Sequence, residues 1–250
     1  MNNYEFCAHY VEKMACTKQQ PISVLDYGCG AGQTVTLLIN QGIDAKECDV
    51  FYTGGDYSNR VSPELMGVKI KPIINGIIPF EDNGFDCVVN NQVLEHVEDI
   101  DHVLAEIHRV LKPGGLVLSL FPDKGVWREG HCGIPFLHWF PKGSKGRVYY
   151  AVMLRTLGMG HFKNNKSILQ WSRDFCDWLD QWTYYRNYSE ICTAFNRNFI
   201  DFKHIEEIWL QERFGTRATV LIGWLPKPIR RWIVQKLGGL VFTCTKASVE

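Results

Sequence analysis

Between residues 22 and 122 short apolar runs take turns with segments of helical periodicity, and this alternation most restricts what the chain can fold into. Residues 22–28 (ISVLDYG), 45–51 (AKECDVF), 68–74 (VKIKPII), 86–91 (DCVVNN) and 116–121 (LVLSLF) have the length and content of strands. The clearest helix lies at 99–115, where Ile100, Val103, Leu104, Ile107, Val110 and Leu111 recur at three- and four-residue spacing before Lys-Pro-Gly-Gly stops it. A shorter helix at 33–42 closes on Gly42. Residues 52–67, where another helix is due, carry only a weak helical pattern. Strand and helix in this order predict a parallel sheet with helices on both faces.

After residue 122 the pattern breaks. Residues 123–187 are rich in aromatic side chains and suit neither a linker nor one more strand–helix unit, so they read as an insertion after the fifth strand, mainly helical. The alternation resumes with a helix at 189–199, a strand at 202–210, a basic amphipathic helical stretch at 216–237 and a last strand at 240–246. A helix at 3–16 precedes it all. The expected organisation is one domain over 1–250, with an N-terminal helix in 1–20, a substrate lid at 123–187 and a basic connector at 212–238.

Composition bounds the class. With 46% hydrophobic and 22% charged residues the chain is an ordinary soluble globular one. No apolar run approaches the roughly 18 residues of a membrane span, and the polar N-terminus lacks a signal-peptide core. A cytoplasmic protein is expected, with nine cysteines that read as reduced thiols; no CxxC pair or Cys/His spacing suggests a metal site. Net charge is zero but uneven: 1–129 holds 18 acids and 10 Lys/Arg, whereas 130–173 holds seven Lys/Arg and no acid.

The turn after the first strand, VLDYGCGAGQ, has glycines at 28, 30 and 32, which let the backbone turn tightly and a ligand approach without Cβ atoms intervening. A dinucleotide fingerprint would be GxGxxG; here the pattern is GxGxG and Gln33 comes next. Asp26 lies just before the turn, where it would repel a pyrophosphate, and Asp49 ends the second strand, where a carboxylate accepts from ribose hydroxyls. A ligand with an amino group and a ribose but no phosphate fits both.

These residues, with IPFEDNGFDCVVNNQVLEHVED and EIHRVLKPGGLVLSLF, resemble three motifs of the class I S-adenosylmethionine-dependent methyltransferases, in the same order. The resemblance covers about 24–122 and, more loosely, 188–247. It implies a doubly wound α/β fold, with a mostly parallel seven-stranded sheet, and S-adenosylmethionine as cofactor. It further implies that Gly28, Gly30 and Gly32 line the methionine part, with Asp26 beside them, and that Asp49 serves the ribose. Asn75 and Gly76 would then lie near adenine, and Asn90, Asn91 and Gln92 near the transferable methyl. Asp56 in GGDYS is a rival to Asp49.

The methyl of a sulfonium is already activated, so the protein must chiefly align a nucleophile, and a hydroxyl nucleophile gains from a general base. The segment 123–143 offers His131 and His138 for that role, with Glu129 the nearby carboxylate. His131 is preferred for its polar, glycine-flanked setting. His96 in LEHVED reads as a packing or capping residue. The basic, aromatic insertion suits an anionic small-molecule or glycan acceptor, lipid- or nucleotide-linked. Nucleic acid is disfavoured by the zero net charge. The 213–236 segment, with six Lys/Arg beside Trp224, Ile229 and Trp232, suits either peripheral membrane contact or a packed connector. Alternatives are a nicotinamide-dependent oxidoreductase and a non-catalytic cofactor-binding scaffold. Monomer and homodimer are both open.

Overall fold

The computed structural model describes residues 1–28, 30–51, 64–163 and 165–248. Seven strands, β1 (Ser23–Tyr27), β2 (Asp44–Asp49), β3 (Ile70–Pro72), β4 (Phe85–Asn91), β5 (Leu111–Phe121), β6 (Ile200–His204) and β7 (Leu240–Thr245), form one sheet in the order β3-β2-β1-β4-β5-β7-β6. Every neighbouring pair is parallel except that β7 runs antiparallel to both β5 and β6. The order reverses between β1 and β4, and that switch point leaves a crevice beyond the carboxyl ends of both strands.

Helices cover both faces. On one face lie α1 (Asn3–Lys18) and α2 (Gln33–Asn40), with α7 (Glu206–Phe214) and α9 (Lys227–Gly238), burying Phe6, Val11, Leu38, Trp209 and Val234 with Val24 of β1. On the other, α3 (Ile100–Val110) and α6 (Tyr188–Asn196) bury Leu104, Ile107 and Phe195 with Leu25, Phe85 and Phe242. Local rules set the helix ends. Asn2 and Glu5 form a reciprocal capping box on α1, and Asp99 Oδ1 accepts the His102 N–H to open α3.

The insertion folds around a core of its own: Cys132, Ile134, Leu137, Ala151, Trp171, Cys176 and Leu179. Two helices, α4 (Lys145–Thr156) and α5 (Ile168–Trp182), pack on each other there. Its two ends meet where Lys124 N–H donates to the Arg186 carbonyl at 2.8 Å, and it is tied to α9 by Trp127 N–H on the Lys236 carbonyl at 2.9 Å.

Two expectations need correction. The strand expected at 202–210 is β6 ending at His204, followed by α7. Buried Ile205 and Trp209 sit four residues apart, one helical turn, and Glu206 and Glu207 suit a helix N-terminus. The stretch at 216–237 is not one helix but α8 (Thr216–Gly223) and α9, separated at Leu225–Pro226 because a proline interrupts the helical hydrogen bonds. Among the described residues no helix is long and apolar enough to cross a membrane.

Phe242 is buried at the centre of an aromatic group, stacked on Phe202 at 4.2 Å and edge-on to Phe195 at 4.9 Å. Phe242→Ala should destabilise the fold by ~3–5 kcal/mol in a denaturant titration. A loss below about 1 kcal/mol would mean that this cluster does not anchor β6 and β7 as described.

Candidate active site

A cavity of about 1030 Å³ lies over the switch point, between the carboxyl ends of the central strands and the insertion. Gly28, Gly30, Asp49, Gly76, Asn91, Gln92 and His131 all line it. Asp26, Gly32, Asn75, Asn90 and His138 do not line it. Cys29 and Asp56 fall outside the described residues.

The glycine turn is built for close approach. Gly28 has φ +80°, and a Cβ there would stand 2.3 Å from a Val93 methyl, so no other residue fits. Gly32, at φ +80°, ends the turn as the N-cap of α2. Asp49 locks the turn from the next strand: Oδ2 accepts the Gly30 N–H at 2.9 Å and Oδ1 the Phe51 N–H at 2.8 Å. Each oxygen keeps a lone pair for a further donor. Asp26 lies beneath, 3% exposed, and burial pushes its carboxyl up to about 7. Asn90 is buried within the sheet, donating to Ser119 Oγ at 2.8 Å. Gln92, at φ +59°, turns the chain out of β4, its N–H on the Leu120 carbonyl.

The opposite wall comes from the insertion and from the short 3₁₀ turn Leu94–His96 just past β4. His131 Nδ1 lies 2.6 Å from Glu129 Oε1, and its Nε2 lies 3.1 Å from His96 Nε2. His96 Nδ1 lies 2.7 Å from the Trp182 carbonyl. Glu129 has no solvent exposure, and also accepts from Tyr185 Oη at 2.9 Å and the Cys132 N–H at 2.7 Å. Burial opposes its ionisation, but His131 and the Cys132 N–H hold its carboxyl down to about 2. For His131 burial opposes the charge, yet the Glu129 carboxylate keeps its pKa above the ordinary value. Burial, reinforced by His131, lowers His96 to about 4. Trp178 packs beside both rings, 5.0 Å from His131 and 5.9 Å from His96.

The structure separates the two histidines singled out in the insertion. His131 faces the cavity. His138 is buried against Tyr185, ring centroids 4.6 Å apart, and burial lowers its pKa to about 4. His96, read from sequence as packing or capping, stands in the cavity wall against His131. Thirty-five residues separate them, and no local spacing signals the contact.

The sequence model of one family, described as a methyltransferase domain, matches residues 2–209. The chain belongs to the class I S-adenosylmethionine-dependent methyltransferases. Among curated relatives of this methyltransferase, the ubiquinone/menaquinone biosynthesis C-methyltransferase UbiE of Desulfotalea psychrophila is 35% identical over 102 residues, 36% of this chain and 42% of that protein. A ubiquinone biosynthesis O-methyltransferase of Chelativorans is 29% identical over 128 residues, 49% of this chain and 50% of that one. The chain thus spans half or less of the length of these curated relatives. An S-adenosylmethionine-dependent methyltransferase from Mesorhizobium loti shares the fold at a TM-score of 0.54 and 13% identity, over 98% of this chain and all of that one. S-adenosylmethionine is the cofactor of the family. The cradle fits it: Gly28 leaves no room for a side chain, and Asp49 offers acceptors at the cavity edge.

Asp26 makes folding stability depend on pH. An acid whose pKa rises from 3.8 to about 7 on folding holds more protons in the folded state, so its contribution falls as pH climbs through that window. Asp26→Asn should flatten the decline in denaturation midpoint between about pH 4 and 7 relative to the parent. Groups common to both proteins contribute equally, so the difference isolates Asp26. Parallel pH profiles would refute the assignment.

Proposed function

We propose that this methyltransferase methylates a hydroxyl of a small, sugar-bearing acceptor in the chamber beneath the insertion. The observation that carries this reading is the buried Glu129 holding His131 by its Nδ1 in the cavity wall, where the other ring nitrogen meets His96 Nε2 at 3.1 Å. S-adenosylmethionine supplies, when bound, a methyl group on a sulfonium that needs no further activation. Gly28 and Gly30 would give backbone contacts to its amino-acid part, with Asp26 beneath. Asp49 would take the ribose hydroxyls, Gly76 would border the adenine, and Asn91 and Gln92 the methyl.

The remaining work belongs to the chamber. Aligning acceptor and methyl contributes up to roughly 7–11 kcal/mol. Trp178, Trp182, Tyr184 and Tyr185 line the acceptor side and suit the faces of a sugar ring. His131, aimed by Glu129, meets the acceptor oxygen and assists loss of its proton, an effect of roughly 10²–10⁴-fold. Asp49→Ala should weaken S-adenosylmethionine binding at least tenfold by calorimetry. His131→Ala should keep that affinity and lower turnover at least tenfold, read as transfer of labelled methyl to envelope extracts. Normal turnover in the His131 variant would dismiss it, and cofactor binding with no labelled product from the parent would favour the scaffold alternative.

A face beside the chamber supports a lipid-linked acceptor. Residues 213–238 hold six Lys/Arg and no acid. Val220, Trp224 and Leu237 are 68–79% exposed, and Leu237 and Gly238 also border the cavity. Arg217, Lys227 and Arg231 are exposed on the same helices. Apolar side chains among cations suit an anionic membrane surface. The parent should co-sediment with liposomes containing acidic lipid but not with neutral ones, and a triple Arg217→Glu, Lys227→Glu, Arg231→Glu variant should lose that binding. Equal recovery in the supernatant with both liposomes would remove the membrane from the proposal.

A further inference from the structure

We infer that Glu95, His96 and His131 form a site for one divalent cation of the zinc type in the wall of the acceptor chamber. The inference deepens the methyl-transfer reading and rests on it only for what the cation would do.

The tautomers come first. His96 Nδ1 faces the Trp182 carbonyl, which can only accept, so that nitrogen carries the hydrogen. His131 Nδ1 faces a carboxylate that already receives Tyr185 Oη and the Cys132 N–H, so it too is the donor. In neutral rings both Nε2 atoms are then acceptors, and they stand 3.1 Å apart. Two lone pairs do not approach so closely without something positive between them. That is either a proton, making one ring cationic, or a metal ion.

Glu95 decides between the two. Its side chain is 1% exposed, and neither carboxylate oxygen has a hydrogen-bond partner. A buried acid without a partner is costly whether ionised or protonated, and a proton shared by the imidazoles leaves it unpartnered. A cation satisfies all three groups at once. One ligand atom from each of Glu95, His96 and His131 lies within 4.8 Å of the others. Ligands held at ~2.1 Å from a zinc-type ion sit ~3–3.5 Å apart, so the imidazole pair is already at that spacing and the Glu95 carboxyl, within 4.8 Å, has to move inward to complete the set.

The surroundings agree. A metal-binding histidine donates its other ring N–H to a carboxylate or a carbonyl, and Glu129 and the Trp182 carbonyl fill those positions. Two nitrogens and one carboxylate oxygen suit a borderline divalent ion. Three protein ligands leave a position open, and His96 and His131 both border the cavity. A cation there would lower the pKa of an acceptor hydroxyl bound beside it, and would do so in place of direct proton removal by His131, whose Nε2 it occupies.

The full chain, dialysed against a chelator, is titrated with Zn²⁺ and with Co²⁺ by calorimetry and visible absorption, without cofactor or acceptor. The expected result is one equivalent bound, with ligand-field bands for Co²⁺. Binding should weaken at least tenfold in Glu95→Gln and in His131→Ala, and about 10–100-fold in Glu129→Gln. Circular dichroism and S-adenosylmethionine affinity check that each variant is folded. No stoichiometric uptake by the parent, or uptake undiminished in both ligand variants, overturns the site. Uptake is read apart from methyl transfer, so loss of the site leaves the methyl-transfer reading standing. Uptake with no transfer supports the site and counts against that reading.

Discussion

One buried carboxylate, Glu129, sets where the insertion stands relative to the sheet. Three donors converge on it: the His131 ring, the Tyr185 phenol and the Cys132 backbone N–H. Removing a carboxylate from water costs several kcal/mol, and short charge-assisted hydrogen bonds offset that cost only when their geometry is held. Its partners come from both ends of the insertion, 56 residues apart in the case of Tyr185. The same carboxylate therefore closes the insertion on itself and aims an imidazole at the turn after β4. Through His96 that aim is registered against the sheet, and the acceptor chamber inherits the precision of the central strands.

Asp49 has the matching role on the cofactor side. It grips the Gly30 N–H from the neighbouring strand, so the glycine turn is held although three of its residues sit at positive φ. A glycine loop alone would lose conformational freedom on ligand binding. One fixed from β2 has lost it already, in folding. Both halves of the cavity thus obey one rule: a carboxylate positions a neighbouring segment by accepting backbone or ring N–H groups. Ligand binding then requires little rearrangement of the walls.

This rule also marks where sequence was legible. β1, β4, β5 and α3 declare themselves because their burial arises from periodicities within a few residues, as in Ile100, Val103, Leu104 and Ile107. The glycine turn and Asp49 are legible because strand–turn–helix geometry restricts which residues can stand at the carboxyl end of a strand. The run at 202–210 misleads because its apolar residues suit either period, and β6 is an edge strand with little burial to favour one. His96 is illegible in principle: its partners are Trp182 and His131, and nothing local distinguishes it from a capping residue. The proposed cation ligands are hidden likewise, two from the turn after β4 and one from the insertion.

Charge shows the same limit in another form. The acid-free stretch 130–173 looks like an anion-attracting surface when read along the chain. In space, α5 brings Asp174 and Asp180 back against it. Arg147 is buried in an ion pair with Asp180, Lys142 donates to the Asp180 carbonyl, and Lys166 pairs with Asp174. Two of its seven cations, Arg147 and Lys166, are thus neutralised within the insertion, and Lys142 is tied to a backbone carbonyl. In α8 and α9 the balance differs: Arg230 pairs with Glu207, but Arg217, Lys227 and Arg231 remain exposed beside apolar side chains. Exposed cations beside apolar side chains therefore lie at the α9 edge of the cavity as well as in the segment whose composition first drew attention to positive charge.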